Sequence, residues 1–286
     1  MMVFIVFILQ STIALFGEGI FSTEKVDYGI AINQDENLGY VVRHEGNWGS
    51  GNNPPSKIHR YIKKDDIWIS TGYAEFSDKN TDYSDSDMFI SYDGKTAFFV
   101  STRPYEGKPG ESDPDIFMME WKGEEWTEPV PVTAVNSNGY EASPVTDGKG
   151  NLYFTSIREG GPGLGDIYTS RLLNNGKFDN PSLLKGAVNT SSGEWNLIVS
   201  FKADWIIFES SGRVEGMSSF GDLYISRKDN KGVWKEVRNL QIINSTGSDL
   251  NPRILYESNR LIWASSKKLE NKDVNFYSTD LDKLGL

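Results

Sequence analysis

Trp205-Ile206-Ile207-Phe208-Glu209-Ser210, followed after a glycine-bearing loop by Asp222-Leu223-Tyr224, is the stretch that decides the fold. A β-branched and aromatic run closed by Ser, then a loop, then Asp-apolar-aromatic, describes two short strands joined at one end. The pattern recurs along the chain. Thr96-Ala97-Phe98-Phe99-Val100-Ser101 leads to Asp115-Ile116-Phe117, and Asn151-Leu152-Tyr153-Phe154-Thr155-Ser156 leads to Asp166-Ile167-Tyr168. Arg260-Leu261-Ile262-Trp263-Ala264-Ser265 leads to Asp273-Val274-Asn275-Phe276, and a worn first copy runs through residues 38–43 and 57–62. Turns such as Asp93-Gly94-Lys95 and Asp147-Gly148-Lys149 precede the aromatic strand, while Trp68, Trp126, Phe178 and Trp234 open a fourth.

The period is roughly 50 residues, within the range of propeller repeats. Four short strands per period make one blade, and no stretch keeps a helical apolar period. The expected fold is therefore all-β: a five-bladed β-propeller of four-stranded antiparallel blades, with six blades less favoured. The last copy has no clear fourth strand of its own. Residues 19–25 resemble the fourth strands of other copies, so this N-terminal segment is expected to close the last blade and protect its edge.

The paired motifs resemble the WD40-like repeats of TolB-type propellers, in which a Ser-x-Arg follows the aromatic strand and an Asp-Ile-Tyr follows the loop. The matching pieces are Ser101-Thr102-Arg103, Ser156-Ile157-Arg158 and Ser210-Ser211-Gly212-Arg213, each with its Asp. The resemblance spans about residues 27–280. It departs at the ends, where His44 stands for Ser and Lys267 for Arg, and in blade number, since TolB-type rings usually have six. It implies a non-enzymatic binding module exported to a bacterial envelope.

Composition narrows the rest. The 286 residues include no cysteine, which removes disulfides, thiolate metal sites and a cysteine nucleophile. A net charge of −11 repels polyanions, so nucleic acid is not an expected partner. Residues 1–16 are almost wholly apolar, too short to span a bilayer and similar to the hydrophobic region of a secretory signal. The expected division is a leader at 1–16 and one propeller domain at 17–286, periplasmic or secreted, monomeric and not membrane-spanning.

Candidate site residues fall into two sets. An acidic residue precedes the innermost strand of every copy: Asp27, Asp85, Glu141, Glu194 and Asp249. Around a channel mouth these would focus a negative potential that attracts a cation such as Ca²⁺, an amine or a basic peptide. Alternatively each caps its own turn. The second set lies on loops of uneven length at the same end: Trp48, Arg103, Tyr105, Arg158 and Arg213, of which the aromatics are suited to stack on a sugar or clamp a peptide. No catalytic residue and no cofactor or metal site is assigned. The repeated Ser, Arg and Asp recur blade after blade, whereas a catalytic group is needed once.

The leading expectation is thus a non-enzymatic module that binds a protein, peptide or glycan on the loop-bearing face. The alternative is a five-bladed glycoside hydrolase or lyase, which needs two carboxylates facing each other near the channel, with Glu141 or Glu194 among them.

Overall fold

The computed structural model describes residues 13–44, 54–108, 113–267 and 274–286. Five four-stranded antiparallel sheets stand in a ring, four of them with their strands in sequence order from the axis outward and the last with an N-terminal strand outermost. The innermost strands are Val26–Ile32, Asp85–Ile90, Glu141–Thr146, Gly193–Val199 and Asp249–Leu255. Next outward come the aromatic strands that decided the reading: Leu38–His44, Thr96–Ser101, Leu152–Ser156, Trp205–Ser211 and Arg260–Ser265. These second strands are the driest part of the fold. Phe99, Phe154, Phe208 and Trp263 are fully buried between neighbouring blades, which is why an aromatic recurs there.

The last blade is closed by an N-terminal strand, but not by residues 19–25. Ala14–Leu15 is the fourth strand, pairing Ala14 with Ser278 and Leu15 with Tyr277. Residues 17–22 instead fold into a tight turn in which the Gly17 carbonyl accepts from the amides of Ile20, Phe21 and Ser22. Gly17 and Gly19 both adopt left-handed φ there, 61° and 74°. The turn drives Phe21, which is fully buried, edge-on against Tyr61 and Trp68 of the first blade. Ser22 ties it back by accepting from the Phe276 amide. Ala14 and Leu15, inside the stretch read as a leader, are therefore blade residues.

One irregularity repeats around the axis and shapes everything above it. Each innermost strand carries a register shift just after its leading acid, between Asp27 and Gly29 in the first blade and, for example, between Ser86 and Phe89 or Trp195 and Ile198 in the others. In four blades the extra residue takes a left-handed φ: Asp87 50°, Ser143 52°, Asn196 41° and Asn251 50°. Asp and Asn tolerate this region best among residues with a side chain. The bulge re-aims the residue that strand alternation would have stacked with its leading acid. Past the opposite ends of their innermost strands Tyr92 and Tyr256 meet, their hydroxyls 2.6 Å apart, with the Tyr92 hydroxyl donating on to the Val199 carbonyl. No helix among the described residues is long and apolar enough to cross a membrane.

Candidate functional site

A cavity of about 650 Å³ opens on the ring axis at the loop-bearing end. Innermost strands of all five blades contribute to its wall through Tyr28, Asp87, Ala142, Asn196 and Asn251, and His44, at the end of its strand, and the loop residues Tyr140 and Phe220 raise its rim. Two carboxylates line it, Asp87 and Glu209. Both are buried, at 6% and 8% exposure.

A short polar chain joins them across three blades. The Ser143 amide donates to Asp87 Oδ2 at 3.3 Å, and the Ser143 hydroxyl donates to Asn196 Oδ1 at 2.9 Å. The Asn196 amide then donates to Glu209 Oε2. Asn196 is thereby fixed in one flip state, with its oxygen toward Ser143 and its nitrogen toward Glu209. On the far side of Glu209, an added Cβ at Gly221 would lie 2.4 Å from Oε1, so only glycine lets the chain pass the carboxyl this closely. Trp195 pairs across the strands with Glu209 and meets Tyr140 edge-on at 5.9 Å. Its indole rests on Gly165 and Gly193, where a Cβ would come within 2.3 and 2.5 Å of the ring.

The two carboxyls have unequal surroundings. Burial pushes Glu209 up to about 8; the Asn196 amide opposes this, and the charges of Asp87 and Asp249 add to it. Burial also raises Asp87 above the ordinary carboxylate range, but the Arg253 guanidinium and the Ser143 amide hold it down. Arg253 is itself buried, which lowers it to about 10 against the stabilising charges of Asp87 and Tyr92.

The acids expected at the channel mouth lie elsewhere. Asp27, Asp85, Glu141, Glu194 and Asp249 are all fully buried, and none lines the cavity. Each is held at the top edge of its own blade by hydroxyl donors: Thr23 to Asp27, Ser77 to Asp85, Ser137 to Glu141, Thr190 to Glu194 and Ser245 to Asp249. Four also carry an arginine: Arg43 to Asp27 at 2.6 Å, Arg103 to Asp85 at 2.7 Å, Arg158 to Glu141 at 3.0 Å and Arg213 to Glu194 at 2.8 Å. Arg103, Arg158 and Arg213, expected on ligand-binding loops, are thus half of these intrablade pairs. They also lie over the aromatic strand faces, Arg213 for example over Phe208 and Tyr224. In the fifth blade, Lys267 lies over Trp263 and Tyr277, and the Trp263 indole donates to Asp249. Tyr105 packs edge-on against Phe117, and Trp48 lies outside the described residues. No group of three or more metal-ligating side chains occurs among the described residues.

No family model matches the chain, and no curated protein is similar to it. Solved structures do match it in shape. A thermostable family-43 glycoside hydrolase superimposes with a TM-score of 0.55 at 9% identity, covering 90% of this chain and 91% of that one. The GH43 endo-arabinanase from Bacillus licheniformis gives 0.51 at 13% identity, covering 91% and 96%. Tricorn protease gives 0.51 at 12% identity over 90% of this chain, which spans only 25% of that much longer protein. Likeness at these identities speaks for the five-bladed fold.

These matches correct the family expectation. The ring has the architecture of sugar-cleaving propellers, and the TolB-type resemblance extends no further than repeated blades. They also overturn the reading of the chain as a non-enzymatic binding module. That reading rested on the absence of any polar constellation occurring once. Asp87 and Glu209 are such a constellation. The position of Asp87 holds Gly29, Ser143, Asn196 and Asn251 in the other blades, and that of Glu209 holds Val42, Val100, Thr155 and Ala264. Aligning the copies column by column and asking where a carboxylate occurs once would have found both.

Proposed function

We propose that this protein cleaves glycosidic bonds in the channel-mouth cavity, with Glu209 as general acid and Asp87 as the carboxylate that activates water. The observation that carries the reading is the pair itself: two carboxyls, each breaking the repeat, in one cavity and with different partners, the Asn196 amide on Glu209 and a backbone amide with the Arg253 charge on Asp87. Two carboxyls facing one substrate are what glycosidic cleavage requires. The glycoside hydrolase propellers that share this fold favour the same reading.

In this scheme Asn196 occupies Oε2 of Glu209, which leaves the proton on Oε1, the oxygen beside Gly221. That proton passes to the glycosidic oxygen as its bond to the anomeric carbon breaks, releasing the leaving group as an alcohol. A water adds to the anomeric carbon and gives its proton to Asp87, whose charged form Arg253 and the Ser143 amide favour against the cost of burial. Trp195 and Tyr140 offer flat apolar faces to a sugar ring, with Ser56, Ser86, Ser248 and Asn251 as hydrogen-bonding partners around it.

A panel of pentosides and hexosides, assayed for reducing-end release, tests this. Hydrolysis of at least one member is expected, with kcat falling by about 10² to 10⁴ in Asp87→Asn and in Glu209→Gln. Hydrolysis that survives both substitutions, in protein that remains folded, would remove the assignment.

A further inference from the structure

A second cavity, of about 440 Å³, lies between the first and second blades. One wall is the turn at residues 121–129, which joins the third and fourth strands of the second blade. Tyr40 and Arg60 of the first blade form the other, with Glu75 and Phe76 from just beyond its last strand. Two tryptophans make its corner. Trp121 and Trp126 pair across the turn, with their rings 4.9 Å apart at 63°. The Trp126 indole donates to the Tyr40 hydroxyl at 2.8 Å, which fixes that ring, and both tryptophans are only half-buried.

The same cavity carries an excess of negative charge. Four carboxylates line it against one guanidinium. Arg60 lies 3.9 Å from Glu75. Glu124, Glu125 and Glu128 are exposed, and none of the three forms an ion pair with a described residue. An indole face attracts a cation through its quadrupole, more strongly than other aromatic rings do, and carboxylates beside it add their own field.

The other blades show what this position takes. The residue that pairs with the fourth-strand aromatic is Lys63 opposite Trp68 in the first blade and Lys228 opposite Trp234 in the fourth. Lys228 Nζ sits 4.5 Å from the centroid of the Trp234 ring. In the third blade the pair is Leu172 and Phe178. In the second blade a tryptophan stands where those lysines stand, and carboxylates gather around it. Among the described residues no cation lies over Trp121 or Trp126. A neutral sugar would use the indole faces, but it has no charge to meet Glu124, Glu125 and Glu128.

We infer that the cleft between the first and second blades binds an alkylammonium group, as a lysine side chain or a free amine presents it. Its charge is held by the faces of Trp121 and Trp126 and by the carboxylates of Glu124, Glu125 and Glu128. Binding here is independent of chemistry at the channel mouth, because the two cavities share no lining residue.

The test titrates the protein calorimetrically with n-butylammonium, an end-blocked Gly-Lys-Gly tripeptide, the same tripeptide acetylated on its lysine, and maltose. Both cations should bind with a dissociation constant of about 1 mM or tighter at low salt, weakening as salt rises. The acetylated peptide and maltose should bind about tenfold more weakly or worse. Tighter binding of the tripeptide than of butylammonium assigns the site to a protein partner, and the reverse order assigns it to a free amine.

Two variants complete the test. Trp121→Lys copies the arrangement of Lys228 on Trp234, so the chain's own ammonium should fill the site. Binding of both cations should then fall about tenfold, with the melting temperature kept. A Glu124→Gln, Glu125→Gln, Glu128→Gln triple variant alters exposed side chains alone and should lose a similar factor. Cation binding that is absent, that the acetylated peptide or maltose matches, or that is unchanged in a folded variant would overturn the inference.

Discussion

Buried carboxylates occur in this propeller in two settings a few residues apart. At the top edge of the blades, Asp27, Asp85, Glu141 and Glu194 each have an arginine and a Ser or Thr donor, and Asp249 has Ser245, Trp263 and the nearby charge of Lys267. At the channel mouth, Glu209 has the Asn196 amide, while Asp87 has a backbone amide and a guanidinium that acts on it through its charge. The first setting repeats and holds each blade's upper edge together. The second occurs once, and its carboxyls keep part of their capacity for a ligand. In a repeat protein, recurrence marks what the scaffold needs, and a break in the recurrence marks what the scaffold is used for.

The sharpest way to break this comparison is to exchange the roles. Glu194→Ala leaves the Arg213 guanidinium buried against Phe208 and Tyr224 without its carboxylate. Removing one member of a buried pair costs roughly 3 to 5 kcal/mol. For a domain of this size the melting temperature should fall by about 10 °C. Calorimetry checks it, and a change under about 1 kcal/mol would show that the edge clusters are not structural.

The opposite sign is expected at the mouth. Glu209 has a folded pKa of about 8, above its ordinary value of 4.5. Between those values the native state binds more protons than the unfolded state, so this group's contribution to stability declines as pH rises through that window. Glu209→Gln removes that loss. The variant should match wild type below pH 4 and exceed it by roughly 2 to 4 kcal/mol at pH 9, a gap that opens between those limits. Chemical denaturation at several pH values reads it directly. The smallest effect belongs to single donors in the edge clusters. Thr190→Val removes one hydroxyl donor from Glu194 while Arg213 and the Thr190 amide remain, and should cost about 1 kcal/mol in the same measurement.

The architecture was legible because propeller blades repeat in sequence what they repeat in space. Thr96–Ser101, Trp205–Ser211 and Arg260–Ser265 are strands where the motif places them. The closing strand was misplaced because Gly-Ile-Phe at residues 19–21 has the composition of a strand but follows Gly17, and the two glycines fold it into a turn. The site was less legible, for a reason of backbone geometry. In a regular strand Asp87 would share a face with Asp85. The bulge after Ser86 turns it toward the axis, and a register shift is not visible in residue types. Glu209 was hidden differently, as one letter inside a motif whose other letters serve the core. Its signal was present in the sequence as the single carboxylate in its column.

The central claim is that Glu209 supplies a proton to a leaving group. It is tested most directly by comparing a methyl glycoside and a dinitrophenyl glycoside of the same sugar as substrates of Glu209→Gln. Dinitrophenolate departs without protonation, whereas an alkoxide does not. The account predicts a loss of about 10² to 10⁴ in kcat on the methyl glycoside and near wild-type kcat on the dinitrophenyl compound. It also predicts that on the dinitrophenyl compound the variant shows no fall in rate as pH passes about 8. Equal losses on the two substrates would contradict it, and so would an alkaline decline that persists in the variant.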